Sequence, residues 1–537
     1  MGRRNLGDRG VLTMEDIALD DHDYGWSDES DRDHDKVFNR NDFNLDDYAG
    51  LGFTFGGKTI ADLDQVVTQI DSGNAINTSG GKITYTFLKE GQDLIGLYNN
   101  PDYGFTAGEG LAAFTDAQIA EARDSIALWD DLVAPEFVEK NGRGADIQFA
   151  NSTDPAQAYA YYPEYYPGNK NGFTKAQGYK FFGDVFVADP SVNGSNAWLD
   201  FNGYGATTLI HELGHAIGLS HPGAYNGAGA TTYANQAEYA QDTEQYTIMS
   251  YWAPNITGAN ILNWDLLFFG NAQTPMLHDV YVIQQKYGAD PTTRVGDTVY
   301  GYNSTADRDV FDFSSNSFPN VTIYDAGGED TLDFSGFFGG TVINLNDGQF
   351  SSGAEAPPTA AEVNQNRLDL FEETGVFAPA TVTDASLANT LASYQNNSAS
   401  KIAGDFGWGG VRATAYDNIS IAYGTEIENA VGSDYRDIIV TNELDNTLTG
   451  GAGSDVFVIQ DGGNYLIESF ENGGTDTITD FEAGVDILDL SWLGLDGDSI
   501  QTEDGNALLI DIDGDGSIDQ TVIFENLDYV PQADIFA

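Results

Sequence analysis

Residues 211–223 read HELGHAIGLSHPG and hold three of the six histidines in a chain of 537 residues. With the preceding YGATTLI (204–210) the stretch begins as a helix, supported by Leu209, Ile210, Leu213 and Ile217. His211 and His215 stand four residues apart, so their imidazoles lie one above the other on one face. That is the geometry of two ligands to one tetrahedral ion. Gly218 allows the sharp turn that ends the helix, and it brings His221 back as a third nitrogen with one position left open. Glu212, beside the first ligand, can reach a metal-bound water without ligating the metal. A closed structural zinc site would ask for a fourth Cys or His, and the chain has no cysteine. The five fixed residues of HExxHxxGxxH arise by chance in only about 10⁻⁵ of chains this long. The stretch therefore predicts one catalytic Zn²⁺. Its three neutral ligands leave the full double charge to polarise a carbonyl and acidify water.

A second element agrees. DTEQYTIMSYW (242–252) places Met249 shortly after His221 and two residues before Tyr251. HExxHxxGxxH followed by such a Met-turn is the metzincin signature.

The charge balance narrows the partners. There are 84 acids against 22 bases, a net charge of −62, which excludes nucleic acid and anionic membranes as partners. Either the carboxylates face water or many of them bind cations, and 62 glycines favour the second, because glycine turns let carbonyls converge on an ion. The absence of cysteine excludes disulfides, a thiol nucleophile and a cysteine-blocked zymogen. No run of about 18 apolar residues exists to span a membrane. The N-terminal MGRRNLGDRGVLTMEDIALDD has no apolar core, so an export signal is expected elsewhere.

Residues 15–48 are acidic and without periodicity, either a disordered tail or a propeptide. Order is expected from about residue 60. Thr115 and Gln118 form a capping box, behind which Ile119, Ala122, Ile126 and Trp129 make one helix face. ITYTF (83–87), ADIQFA (145–150) and GDVFVAD (183–189) read as strands. Helices mixed with short strands imply an α+β domain, closed by LHDVYVIQQKYG with Gly288 as C-cap.

Beyond residue 290 short β-runs alternate with Gly and Asp. Residues 432–467 divide into nines: GSDYRDIIV, TNELDNTLT, GGAGSDVFV, IQDGGNYLI. Position eight is apolar throughout (Ile439, Leu448, Phe457, Leu466), and position six is Asp437, Asn446, Asp455, Asn464. This is the nonapeptide of a parallel β-roll that binds calcium, complete in the third copy, with Gly450, Gly451, Gly453 and Asp455 as its ligand positions. Alternate copies stack on one edge. Asp437 and Asp455 therefore form a tight calcium edge, and Asn446 and Asn464 a weak one. DIDGDGSID (511–519) has EF-hand-like spacing but Val522 at its twelfth position, and reads as a calcium site or a solvated β-turn.

From roughly residue 60 onward the chain resembles the serralysins, secreted RTX-type metzincin proteases of bacteria. The likeness is dense in HELGHAIGLSHPGAYNG, YAQDTEQYTIMSYW, PTTRVGDTVYGYNS, TIYDAGGEDTLDFSG and IENAVG. The resemblance implies zinc on His211, His215 and His221, with Glu212 as the general base that activates water and later protonates the leaving amine. It implies Met249 as the floor beneath the metal. Tyr251 would be a further zinc ligand at rest that swings away to hydrogen-bond the oxyanion. For calcium it implies the carbonyls of Arg294, Gly296 and Thr298 with the carboxylates of Asp325 and Asp330. The carbonyls of Gly327 and Gly328, with Glu428, would complete two neighbouring sites. Glu426 stands where the family has threonine, at a position that a carbonyl ligand tolerates.

The domains expected are an acidic leader or propeptide (1–50), an α+β metzincin catalytic domain (51–290), and an all-β parallel β-roll domain (291–537). Some sixty residues (353–412) are inserted in the last, and the sequence leaves open whether they shield the roll or touch substrate. His278 stands where the family has an acid and reads as structural; His22 and His34 lie in the leader. The resemblance implies a secreted, monomeric zinc endopeptidase of broad specificity, stabilised by several Ca²⁺ and acting on extracellular proteins. It also implies export by a type I secretion apparatus through a C-terminal signal in DYVPQADIFA. Two other classes remain: a calcium-dependent adhesin with an inert zinc site, and a metzincin hydrolysing a non-peptide amide.

Overall fold

The computed structural model describes residues 44–89, 110–141, 144–153, 156–163, 183–225, 232–376, 381–460, 474–495 and 499–536. The leader to residue 43, with His22 and His34, lies outside them, as do Asn464 and Leu466 of the fourth repeat.

The first unit is α+β. Helix α1 (Leu63–Ile70) starts at Asp62, and α2 (Asp116–Asp130) starts at the expected Thr115–Gln118 capping box. Gln118 N–H donates to the Thr115 hydroxyl at 3.2 Å, and the Thr115 N–H donates back to the Gln118 side chain at 3.0 Å. Ala122, Ile126 and Trp129 are buried as the periodicity requires. The five strands β1 (Lys82–Phe87), β2 (Glu136–Glu139), β3 (Ile147–Ser152), β4 (Ala158–Ala160) and β5 (Val185–Ala188) form one sheet in the order β2-β1-β3-β5-β4. All neighbours are parallel except β4, which runs antiparallel at the edge. Helix α3 (Tyr204–Ala216) carries the histidines, and α4 (Leu277–Tyr287) ends at Gly288, whose φ of 80° suits glycine. The Trp129 indole donates to the Ile210 carbonyl at 3.2 Å and fixes α2 against α3.

The second unit stacks short parallel strands, most of three residues, alternately into two sheets. Asn429–Val431, Thr447–Thr449 and Gly474–Ile478 lie in one; Ile438–Val440, Val456–Val458 and Ile487–Asp489 lie in the other. Ile439, Leu448 and Phe457 are fully buried between the sheets. Residues 461–467 of the fourth repeat lie outside the described residues; the next strand beside Leu448 carries Ile478, and the next beside Phe457 carries Leu488.

The insertion folds as two helices, α5 (Ala360–Thr374) and α6 (Asp384–Phe406), both with Thr caps and terminal glycines in the left-handed region. It touches both units. Leu370 packs with Trp198 and Leu266 of the first, while Ile402 and Phe406 pack with Ile438 and Trp492 of the second. Residues 44–48 also bridge the units, inside the stretch assigned to the leader. Asn44 donates to the Gly348 carbonyl, and Asp46 pairs with His278 at 2.8 Å and accepts from Tyr423 at 2.6 Å. His278 is thus a buried structural partner. No helix among the described residues is long and apolar enough to cross a membrane.

Candidate functional site

Helix α3 and the turn after it bring the three histidines together. His221 Nε2 lies 3.2 Å from His211 Nε2 and 3.0 Å from His215 Nε2. On the far side of each ring, His211 Nδ1 is 2.7 Å from the Ile248 carbonyl and His215 Nδ1 is 2.8 Å from the Leu219 carbonyl. A carbonyl oxygen only accepts, so both Nδ1 atoms carry the proton and both Nε2 atoms turn bare lone pairs toward His221. One shared cation satisfies that arrangement. Nitrogens held at 2.0–2.1 Å by a tetrahedral zinc ion would sit roughly 3.3 Å apart, close to the spacing here. Burial pushes His211 down to about 4 and His215 to about 3, which keeps both neutral and able to ligate. The residues fit zinc.

Glycines set the approach of the surrounding chain. Gly218 has φ 106°, and a Cβ there would lie 2.2 Å from the Asn74 carbonyl oxygen. Gly214 of α3 would place a Cβ 2.7 Å from Met249 Sδ, so the buried methionine packs closely against the helix that carries His211 and His215. The Met-turn is held from below by Asp279 of α4, which the sequence reading missed. Its carboxylate accepts the Ile248 N–H at 2.6 Å, the Met276 N–H at 2.9 Å and the Thr247 hydroxyl at 2.6 Å. The available signal was an acid in the first turn of a helix otherwise rich in apolar residues.

Glu212 follows His211 on α3 and reaches the edge strand β4. It is 7% exposed, it accepts a hydrogen bond from the Ala160 backbone in β4, and its Oε2 has no partner among the described residues. Burial raises it to about 8, and a neighbouring dication favours the ionised form again. The Tyr251 ring lies 4.5 Å from that of His221. Burial, then the Glu212 charge, raises its phenol well above the usual range, so it stays a proton donor. Tyr225 stacks on His221 at 5.6 Å and 15°, and its hydroxyl donates to Asp242 at 2.7 Å. That pair also escaped the sequence reading, since neither residue belongs to the histidine motif.

The acidic clusters of the second unit fall into two groups. In the first, Thr298 N–H donates to Asp330 at 2.7 Å, Asp330 N–H donates to Glu428 at 2.7 Å, and Gly327 N–H donates to Asp325 at 2.8 Å. A Cβ on Gly328 would lie 2.6 Å from Asp330 Oδ1 and 2.9 Å from the Gly296 carbonyl oxygen, and Arg294 has φ 49°. These are the expected residues brought together. Burial, followed by the charges of Asp325 and Glu428, raises Asp330 to about 7, and its Oδ2 is buried without a hydrogen-bond partner among the described residues. Glu426 is exposed, and its charge adds to the burial that raises the neighbouring Glu428 carboxylate.

In the second group, Asp437 N–H donates to Asp455 at 2.9 Å and Asp455 N–H donates to Asp486 at 2.9 Å. A Cβ on Gly450 or Gly453 would lie 2.6 or 2.7 Å from the Asp455 carboxylate, and Gly451 has φ 88°. The aspartate edge therefore extends to Asp486. On the other edge Asn446 N–H donates to Asp476 at 3.1 Å, so this edge too carries a carboxylate.

A family model described as the serralysin C-terminal domain of peptidase M10 matches residues 289–355 and 383–524. Residues 356–382, which include α5, fall outside the match. Serralysin G of Dickeya chrysanthemi is 30% identical over 466 residues, covering 81% of this chain and 79% of that protein. Serralysin of Proteus mirabilis is 30% identical over 424 residues, covering 75% of this chain and 69% of that protein. Serralysin C of Dickeya chrysanthemi is 36% identical over 319 residues, covering 56% of this chain but only 60% of that protein.

Proposed function

This chain belongs to the serralysin family, and from that membership we propose that it is a zinc-dependent endopeptidase that cleaves extracellular proteins. The observation that carries the reading is the pairing of two bare imidazole nitrogens with a third, beside the free and buried Oε2 of Glu212. His211, His215 and His221 would hold the ion, which supplies Lewis acidity and makes water a nucleophile near neutral pH.

Glu212 takes the proton of the attacking water on its free oxygen and returns it to the leaving amine. Tyr251, kept protonated by burial, donates to the oxygen that becomes negative. A substrate strand would add to β4, the antiparallel edge of this sheet among the described residues, whose Ala160 already touches Glu212. Recognition through main-chain hydrogen bonds accounts for broad specificity.

Calcium is the second half of the proposal. Buried carboxylates stacked as Asp437, Asp455 and Asp486, and as Asp325 and Asp330 beside the half-buried Glu428, need cations or protons at neutral pH. With a net charge of −62, folding of the second unit is coupled to the calcium met after passage through a type I apparatus. Cleavage of casein that is abolished by a chelator and restored by zinc tests the reading. Cleavage insensitive to chelation contradicts it, and zinc binding without cleavage favours an adhesin.

A further inference from the structure

The large sheet of the second unit ends in a hairpin that joins Ala507–Asp511 to Gln520–Phe524, and the intervening loop reads DIDGDGSID. Three carboxylates converge there. One oxygen of each of Asp511, Asp513 and Asp519 lies within 4.8 Å of the others. The loop's own N–H groups satisfy part of this set: Gly516 donates to Asp511 Oδ2 at 2.9 Å, Asp515 to Asp513 at 3.0 Å, and Ile512 to Asp519 at 2.7 Å. Surface loops of acids commonly do as much with no ion.

Asp511 sets this loop apart. It is 2% exposed, and its Oδ1 is buried with no hydrogen-bond partner among the described residues. A carboxylate oxygen removed from water and given nothing to accept bears its whole desolvation cost. Nearby sequence offers no internal cation, because the chain from Asp437 onward contains no Lys, Arg or His.

We infer that this loop is a calcium site separate from the β-roll stacks. Asp511, Asp513, Asp515 and Asp519 occupy the first, third, fifth and ninth positions of a calcium loop. Gly516, with φ 92°, occupies the sixth, where the chain must turn sharply. The ligands are all oxygen, which selects a hard cation, and the loose exposed side suits calcium better than magnesium, which demands a rigid octahedron. Val522, in a strand, replaces the bidentate glutamate of the twelfth position, so water completes the shell. The affinity belongs with extracellular modules, about 10⁻⁴–10⁻³ M.

The position gives the ion a task. At the hairpin base Gln520 donates to Asp476 at 2.8 Å, and Asp476 accepts from Asn446 in the stacked strands. An ion in the loop fixes the hairpin, and the hairpin closes that end of the stack.

The test is calcium bound per chain, measured by equilibrium dialysis of the full chain at millimolar free calcium. Wild type is compared with Asp513→Asn/Asp519→Asn and with Asp455→Asn as a roll control. The double variant is expected to bind one calcium fewer, while the roll control retains the weak hairpin ion. Should the double variant fail to fold, the exposed Asp513→Asn decides the point by at least a tenfold weaker affinity for one ion. Unchanged stoichiometry and affinity in the hairpin variants overturn the inference.

Discussion

The carboxylate of Asp279 accepts the backbone N–H of Ile248 at 2.6 Å, and the carbonyl of that same Ile248 lies 2.7 Å from Nδ1 of His211. A buried acid on a distant helix thus fixes the tautomer and tilt of a metal ligand through one residue's backbone. Asp279→Asn is expected to weaken zinc retention about 10–100-fold while leaving the chain folded. Competition with a chromogenic chelator measures this, and wild-type retention would contradict the role.

Gly214 allows α3 to pack closely on Met249. Gly214→Ala places a methyl where Met249 Sδ already lies 2.7 Å away, and overpacking of this kind costs about 1–3 kcal/mol. A thermal melt should fall by several degrees, with zinc affinity reduced because the helix moves off its support. An unchanged melt would mean that the methionine simply rotates away.

Residues 44–48 are bound by charge as well as by packing. Burial alone would raise Asp46, but the His278 charge and hydrogen bonds from His278, Tyr423 and Gln241 outweigh it and hold the folded pKa below 3.8. A depressed carboxylate contributes stability above its unfolded pKa and loses it as pH falls through the folded one. Asp46→Asn should therefore destabilise the chain by about 3 kcal/mol at pH 7 and progressively less in acid below about pH 4. Denaturant melts at the two pH values check the sign.

The insertion carries the opposite case. Burial raises both Asp405 and Asp417, and the Asp417 charge raises Asp405 further, while Lys401 opposes the shifts. Groups with raised folded pKa bind more protons when folded, so stability falls as pH rises above the ordinary carboxylate range. Asp405→Asn should raise the melting temperature by roughly 2–4 °C or more at pH 8 and hardly at all at pH 4. Equal effects at both values would exclude titration as the cause.

The catalytic half was legible because its ligands are close in sequence. Two imidazoles at i and i+4 on one helix, then a glycine turn, leave little freedom, and Met249 and Tyr251 follow on a short Met-turn. What escaped was long-range: Asp279 and Asp46 act on partners in other elements, and nothing local marks them. The β-roll was legible in its alternation of sheets but not in its length. A search for nines carries the register through Asn464. The stack follows the pair Asp-x-apolar instead, which resumes at Asp476–Ile478 and Asp486–Leu488 after an interruption. Helices α5 and α6 show their caps in sequence, yet their packing against both units depends on Leu370, Ile402 and Phe406 meeting surfaces far away in the chain.

As the proton carrier of a zinc peptidase, Glu212 is needed for turnover and dispensable for holding the metal. Zinc content and casein turnover of Glu212→Ala, measured on the same folded preparation, test this role most directly. One zinc per chain with turnover lowered by at least about 10²–10⁴-fold is the predicted result. Loss of the zinc, or casein cleavage at the wild-type rate, would contradict it.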